Sequence, residues 1–310
     1  MMQRFLDPAV LAGISSLDLV GKTVVDGFVA GLHRSPDFGF SQEFAEYRAY
    51  TPGDDLRHVD WNLFARTERC YLKRYRGETN SQLTVLLDAS NSMEYTSGPP
   101  TRSNDKDLSS GGPLKKMDYA RFIAASLFYL AIHNQRDAAG LIVFDEQVRD
   151  VVRPTTRPGQ LARLFAALER AEAHARTDFA KPLHHFQELL HRRGIAIVIS
   201  DFYEDPETIV RTIEPLRYRG NEVVLFHILD PQEIRPVLKS STILVDLETD
   251  QKIEVVPEYA KTSYRAKIDA HVEHLRSCTR AAGMDYQLLV TDQPLDSALR
   301  QYLALRKERN

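Results

Sequence analysis

The sequence is poor in cysteine, and it has neither an excess of one charge nor a long apolar run. Its two cysteines, Cys70 and Cys278, lack the spacing of metal ligands. Lysine and arginine number 40 against 43 aspartates and glutamates, so no basic excess indicates nucleic acid or an anionic membrane as a partner. Neither a secretory leader nor a membrane-spanning run is recognisable. These absences predict a cytoplasmic protein with reduced thiols and no membrane span.

Short apolar runs alternate with helical patterns from about residue 82 onward. The runs are rich in β-branched residues, and the helical segments space apolar residues three and four apart. This alternation predicts an α/β fold with a doubly wound, mainly parallel sheet. The predicted strands are Leu83–Leu87, Ala139–Phe144, Ile195–Ile199, Glu222–Ile228 and Tyr286–Val290, and the predicted helices are Met117–His133, Gly159–His174, Ala180–Arg193, Glu207–Tyr218, Tyr259–Ala282 and Asp296–Lys307.

Other segments interrupt the alternation. Val148–Val152 comes so soon after a predicted strand that it is expected to be its hairpin partner, and an inserted β-hairpin is expected at about 236–257. Tyr95–Lys116 has almost no apolar residues and predicts a mobile loop. We expect residues 81–310 to form the main domain and residues 1–80 to form an N-terminal extended segment packed on it. A helix is expected there over Pro8–Leu19.

A carboxylate and two hydroxyls come after the first predicted strand at alternate positions, as Asp88, Ser90 and Ser92. The carboxyl ends of parallel strands are where ligands bind in α/β sheets, and hard oxygen donors suit Mg²⁺. Taken alone, the motif is equally typical of a helix cap. A second buried strand ends at Asp201, and Thr177 precedes the helix that leads into that strand. Together these residues favour a metal site.

This set of residues resembles the metal-ion-dependent adhesion site of von Willebrand factor A domains over about residues 80–230. The resemblance implies that Ser90 and Ser92 ligate Mg²⁺, or Mn²⁺ or Ca²⁺, directly, and that Thr177 does so directly or through water. Asp88 and Asp201 would act through water while accepting hydrogen bonds from hydroxyls. An acidic side chain of a partner protein would then fill an open position on the metal.

The segment from Glu43 to Arg66 is dense in charged and aromatic residues. One interpretation is a structural clasp against the main domain, held by bidentate arginine–carboxylate pairs. The other is a second acidic metal or catalytic centre formed by Asp54, Asp55 and Asp60. The residues of this signature are Arg48, Tyr50, Asp54, Asp55, Arg57, Asp60, Trp61 and Arg66.

With the domain after it in the chain, this signature resembles the bacterial domain-of-unknown-function 58 family. Members are commonly encoded beside MoxR-type AAA+ ATPases, so the resemblance implies an adaptor or co-chaperone whose protein partner is such an ATPase or its client. The sequence predicts that the protein is not an enzyme. Haloacid-dehalogenase phosphatases need two aspartates two positions apart after a strand, and Ser90 occupies the second of these positions. A metal-dependent hydrolase that uses the acidic N-terminal signature is the alternative.

Overall fold

The computed structural model describes most of the chain in separate segments. The described residues are 16–32, 44–49, 59, 61–67, 69–75, 82–97, 114–173, 181–182, 186, 193–245 and 251–309.

Helices and strands alternate through the described part of the chain. A π-helical turn at Leu130–Asn134 extends the helix Lys116–Tyr129. A three-residue helical turn at Pro257–Tyr259 and a π-helical turn at Ala260–Tyr264 lead into the helix Arg265–Ala281. The helices are α1 Leu17–Leu32, α2 Trp61–Thr67, α3 Lys116–Tyr129, α4 Gln160–Arg170, α5 Pro206–Tyr218, α6 Pro231–Ile234, α7 Arg265–Ala281 and α8 Asp296–Arg309. The strands are β1 Phe44–Ala49, β2 Tyr71–Tyr75, β3 Gln82–Asp88, β4 Ala138–Phe144, β5 Val148–Thr155, β6 Ile195–Ser200, β7 Glu222–Leu229, β8 Thr242–Val245, β9 Lys252–Val255 and β10 Asp285–Val290.

The chain divides into two compact units. One consists of residues 28–80 and contains the antiparallel pair β1–β2 with helix α2 between them in sequence. The other consists of residues 1–27 and 81–310 and contains the large sheet. Regular strands and a helix thus occur in a stretch where the sequence pattern indicated only an extended segment. Of the helix expected over Pro8–Leu19, residues 8–15 lie outside the described part, and α1 continues beyond Leu19 to Leu32.

Six strands form the large sheet in the order β10-β7-β6-β3-β4-β5. All neighbours are parallel except β4 and β5, which are antiparallel as the close spacing of Val148 to Phe144 predicts. This sheet confirms the predicted α/β class. The inserted hairpin is confirmed as the antiparallel pair β8–β9.

The central strands β3 and β6 are buried along their whole length. Alternate residues such as Leu86, Val198 and Leu225 pack with Ile209, Ile213 and Leu275 of the helices α5 and α7. Because side chains alternate across a strand, their neighbours face the opposite side of the sheet. Each fully buried aliphatic side chain contributes about 1.5–3 kcal/mol through removal from water. The described helices include none with the length and apolar character needed to cross a bilayer.

The start of β6 passes unusually close to β3. A Cβ atom added at Gly194 would lie 2.2 Å from the carbonyl oxygen of Gln82. From there the two strands run in register, with Leu83 beside Ile195 and Leu87 beside Ile199. The glycine therefore permits the close spacing of β3 and β6 at their amino ends.

Candidate metal site at the carboxyl edge of the sheet

The strand order reverses between β3 and β6. The chain leaves β3 for β4 on one side and later returns to β6 on the other. In open α/β sheets such a switch point leaves a crevice at the carboxyl ends of the strands, and ligands bind there. Asp88 is the last residue of β3, and Asp201 comes directly after β6. The fold thus places both predicted carboxylates at the ends of the two strands that flank this crevice.

The Asp88 carboxylate is fully buried and held by hydrogen bonds on both oxygens. Oδ1 accepts from the backbone N–H of Ser90 at 2.9 Å, and Oδ2 accepts from the Ser200 hydroxyl at 2.5 Å. Burial and, next, the charge of Asp201 raise the pKa of Asp88 to about 7, although these hydrogen bonds act to lower it. A cation beside Asp88 would favour the ionised carboxylate.

Ser90 and Ser92 present their hydroxyls together. Their Oγ atoms lie 3.0 Å apart. Ser90 is buried, and Ser92 is partly exposed to solvent. A 3₁₀ turn over Asn91–Glu94 sets this geometry, with the N–H of the fully buried Met93 donating to the Ser90 carbonyl at 3.1 Å. The buried Met93, next to Ser92 in the chain, therefore anchors the turn that carries both hydroxyls.

The backbone turns sharply after Asp201. Phe202 has a φ of 46°, in the left-handed region that bulky side chains rarely adopt. Its N–H donates to the Ser200 hydroxyl at 3.0 Å, and its carbonyl lies 2.8 Å from Nε2 of His271. Strain of this kind costs about 1–3 kcal/mol and is concentrated at functional sites. The surrounding contacts hold the buried Asp201 at the carboxyl end of β6.

Lys116 places an ammonium group directly beside Asp201. Its Nζ donates to Asp201 Oδ2 at 2.8 Å and to Glu233 Oε1 at 2.7 Å. Burial acts to lower the pKa of Lys116, but the charges of Asp201 and Glu233 outweigh it and hold that pKa above its usual value. Lys116 was expected at the end of a mobile loop. It is instead the first residue of α3 and fully buried, while residues 98–113 of that loop lie outside the described part.

Glu233 and Asp230 extend this network to the end of β7. Glu233 Oε2 accepts from the Asp230 N–H at 2.8 Å. Asp230 in turn accepts from the N–H of Ser97 at 2.9 Å. Ser97 belongs to the segment that also carries Ser90 and Ser92. The ends of β3, β6 and β7 are thus joined by side chains that are largely buried.

Sequence reasoning missed Lys116, Asp230 and Glu233. One signal for Asp230 was present, because an aspartate stands at the carboxyl end of each of four buried strands. Those aspartates, counting the one that ends β3, are Asp88, Asp145, Asp201 and Asp230. Asp145 forms an ion pair with Arg149 at 2.6 Å, so its charge is already balanced. For Lys116, beside a second lysine at a helix start, the sequence offered no signal of burial.

Several predicted residues cannot be placed at the site. Thr177 lies outside the described residues, as do Tyr50, Asp54, Asp55, Arg57 and Asp60 of the N-terminal signature. Arg48 belongs to β1, while Trp61 and Arg66 belong to α2. Trp61 is 57% exposed, and its ring meets that of Phe64 edge to face. The predicted arginine–carboxylate clasp and the acidic centre therefore both stay predictions.

The donors present at the crevice fit a hard divalent cation. They are hydroxyl and carboxylate oxygens, which suit Mg²⁺, Mn²⁺ or Ca²⁺ better than softer metals. Within the described segments, no three histidine, cysteine, aspartate or glutamate side chains converge as a metal cluster. The raised pKa of Asp88 marks a carboxylate that a nearby cation would stabilise in its ionised form.

Residues 46–278, well over half of the chain, match the family described as "Protein of unknown function DUF58". The chain belongs to the DUF58 family. This DUF58 protein is 26% identical over 305 residues to "Uncharacterized protein Mb1516" of Mycobacterium bovis, an alignment that covers 97% of this chain and 91% of the relative.

Two solved structures are similar to this DUF58 protein with TM-scores below 0.5. One is the conserved hypothetical protein BatB from Bacteroides thetaiotaomicron, with a TM-score of 0.47 and 13% identity over 74% of this chain and 99% of the other. The second is the SpRpn10 VWA domain, with a TM-score of 0.42 and 13% identity over 71% of this chain and 94% of the other.

Proposed function

We propose that this DUF58 protein is a protein-binding module that depends on a divalent metal ion. Its partner would be a MoxR-type AAA+ ATPase or a client of that ATPase, with this protein acting as adaptor or co-chaperone. The observation that carries the proposal is the convergence of Asp88, Asp201 and the Ser90–Ser92 hydroxyl pair at the switch point of the sheet. The MoxR-type partner rests on the family resemblance alone.

In this proposal the metal, Mg²⁺ or alternatively Mn²⁺ or Ca²⁺, would be held by Ser90 and Ser92, with Thr177 as a further ligand. Asp88 and Asp201 would balance its charge from the outer shell. A bound divalent ion supplies a strong electrophile for an oxygen anion. Hydroxyl ligands are neutral, so they cancel less of the ion's positive charge than carboxylate ligands would. A metal ion held by hydroxyls therefore attracts the carboxylate of a partner more strongly.

The contacts of the two serines favour binding over hydrolysis. Their hydroxyls bond to each other, and the described contacts of these hydroxyls include no histidine. Lys116 stays protonated because its pKa is raised, so it cannot accept a proton. An activated nucleophile needs a free base within hydrogen-bond reach. Asp88 lies within reach of Ser90, but its two oxygens already accept from the Ser90 N–H and the Ser200 hydroxyl, and in this proposal it balances the metal.

The proposal is tested by capture of a purified MoxR-type ATPase from the same organism. The protein is immobilised, and ATPase binding is measured by surface plasmon resonance in Mg²⁺ and again in EDTA. We expect capture in Mg²⁺ to fall at least roughly tenfold in EDTA and in the double variant Ser90→Ala/Ser92→Ala, since both remove the electrophile that the partner's carboxylate would meet.

The exposed Ser241, at the base of the β8–β9 hairpin, provides a matched control. Ser241→Ala removes the same hydroxyl group away from the crevice and should capture as the wild type does. Equal capture in Mg²⁺ and EDTA would overturn metal dependence. Absence of capture under all conditions would overturn the choice of partner.

A further inference from the structure

The Lys116 ammonium is enclosed between two carboxylates, one of which belongs to the proposed metal site. The side chain of Lys116 has no exposed surface, and those of Asp201 and Glu233 are 2% and 11% exposed. Charges that are this deeply buried are screened far less by dissolved salt than surface charges are. The Lys116 charge therefore acts on anything bound beside Asp201.

Other contacts keep the ammonium in place. The Lys116 backbone N–H donates to the Tyr95 carbonyl at 3.1 Å, which fixes the start of α3. Its Nζ lies 5.0 Å from the ring centre of Tyr203 and 5.7 Å from that of Tyr95, distances at which aromatic faces attract a cation. Lys116 is thus held in a fixed position within the site, unlike a mobile lysine on the surface.

This arrangement has two opposite electrostatic effects. Without a metal, Lys116 balances carboxylates that would otherwise be buried with no counter-charge, and removing one partner of such a group is strongly destabilising. With a metal, the same ammonium repels the incoming cation and competes with it for Asp201. Glu233 moderates the repulsion because it shares the ammonium with Asp201.

We propose that Lys116 is a resident counter-ion of the metal site, one that holds the site together without metal and keeps a bound divalent ion exchangeable with solution. The inference rests on the proposed metal-binding function and adds its regulation. The site would then follow the free concentration of divalent ions instead of holding one permanently. Lys116 is a positioning residue in this account, since it acts through Asp201.

The test is titration of the full chain with Mn²⁺, in which electron paramagnetic resonance measures the free ion. Lys116→Met removes the positive charge at nearly constant volume and should tighten Mn²⁺ binding by roughly tenfold or more. Glu233→Gln leaves the ammonium less balanced and should weaken binding by a similar factor. The double variant restores the wild-type net charge and should bind within about threefold of wild type.

Lys115 provides a control that makes the same charge change one residue away. It pairs with Glu94 at 2.5 Å, but the two side chains are 40% and 39% exposed. Lys115→Met should change Mn²⁺ affinity less than about twofold, because solvent screens exposed charges. A change in Mn²⁺ affinity that occurs in Lys116→Met and not in Lys115→Met would therefore come from the buried position of Lys116 and not from the loss of a positive charge alone.

The outcomes separate this inference from the proposed function. If wild type binds Mn²⁺ and Lys116→Met binds it equally or more weakly, Lys116 is not a competing counter-ion, while the metal site stands. If neither protein binds Mn²⁺, the proposed function fails and this inference fails with it. If Lys116→Met does not fold, the Glu233→Gln variant tests the inference instead. Mn²⁺ binding by Glu233→Gln that is equal to or tighter than that of wild type would contradict it.

Discussion

The residues at the carboxyl ends of β3 and β6 differ in how far the sequence alone predicts their positions. Asp88, Ser90 and Ser92 could be singled out because a buried strand directly precedes them. Asp201 could be found for the same reason. Lys116 could not, since a lysine at a helix start ordinarily extends into water and its burial depends on carboxylates 85 and 117 positions further along the chain. Charge balance over such separations is set by the tertiary fold.

His227 is a buried histidine near the site that the sequence did not mark. It lies on β7, beside Ser200 of β6 in the sheet register, and its Nδ1 is 2.7 Å from the Tyr286 hydroxyl. Burial and, next, the charge of His271 lower the pKa of His227 to about 3. In the unfolded chain His227 has an ordinary histidine pKa of about 6.5. Between pH of about 6.5 and about 3, His227 is therefore protonated in the unfolded chain and neutral in the folded protein.

A loss of stability with acid is the consequence of this difference. Below pH of about 6.5 and down to about 3, the His227 contribution should reduce the unfolding free energy by about 1.4 kcal/mol for each pH unit. Urea unfolding of wild type and His227→Asn in EDTA, at several pH values from 7.5 to 4.5, measures it. We expect the stability difference between the two proteins to shift in favour of the variant as pH falls. Parallel pH profiles would contradict this.

At the scale of elements, the strands of the large sheet were the most predictable part. Each is a short β-branched run, and the structure places all five predicted parallel strands in the sheet with bounds that differ by at most one residue. The ribbon β1–β2 and helix α2 were missed because charged and aromatic residues there obscure any period. The helix expected over Ala180–Arg193 lies mostly outside the described residues.

Gly194 lies where β6 begins close beside β3, and its replacement should destabilise the fold. In Gly194→Ala the new methyl group would meet the Gln82 carbonyl oxygen, a backbone atom that cannot turn aside. We expect the unfolding free energy to fall by about 1–3 kcal/mol, as it does when a packed interior is overfilled. Chemical denaturation measures the loss. Arg193→Ala, at the exposed neighbouring position, should stay within about 0.5 kcal/mol of wild type, and an equal effect of the two changes would contradict the account.

At the scale of the whole molecule, topology explains why two distant segments meet at the candidate site. The strands β3 and β6, which end at Asp88 and directly before Asp201, are separated in sequence by two strands and two described helices, yet the reversal of strand order makes them neighbours. The α/β class could be predicted from alternation, and the adjacent positions of Asp88 and Asp201 from the polar residues at the ends of their strands. Their role as a metal site stays a prediction. The predicted domains, residues 1–80 and 81–310, stay predictions. One boundary of the compact units, after residue 27, falls inside α1, where a continuous helical pattern gives no sign of it.

The proposed function depends on a divalent ion that binds at this switch point. The most direct measurement is an anomalous difference map from crystals of the full chain grown with Mn²⁺. We expect a peak within about 2–2.3 Å of the Oγ atoms of Ser90 and Ser92, a distance typical of hard cations bound to oxygen. A map with no peak at the carboxyl ends of β3 and β6, in crystals that show Mn²⁺ elsewhere on the molecule, would contradict it.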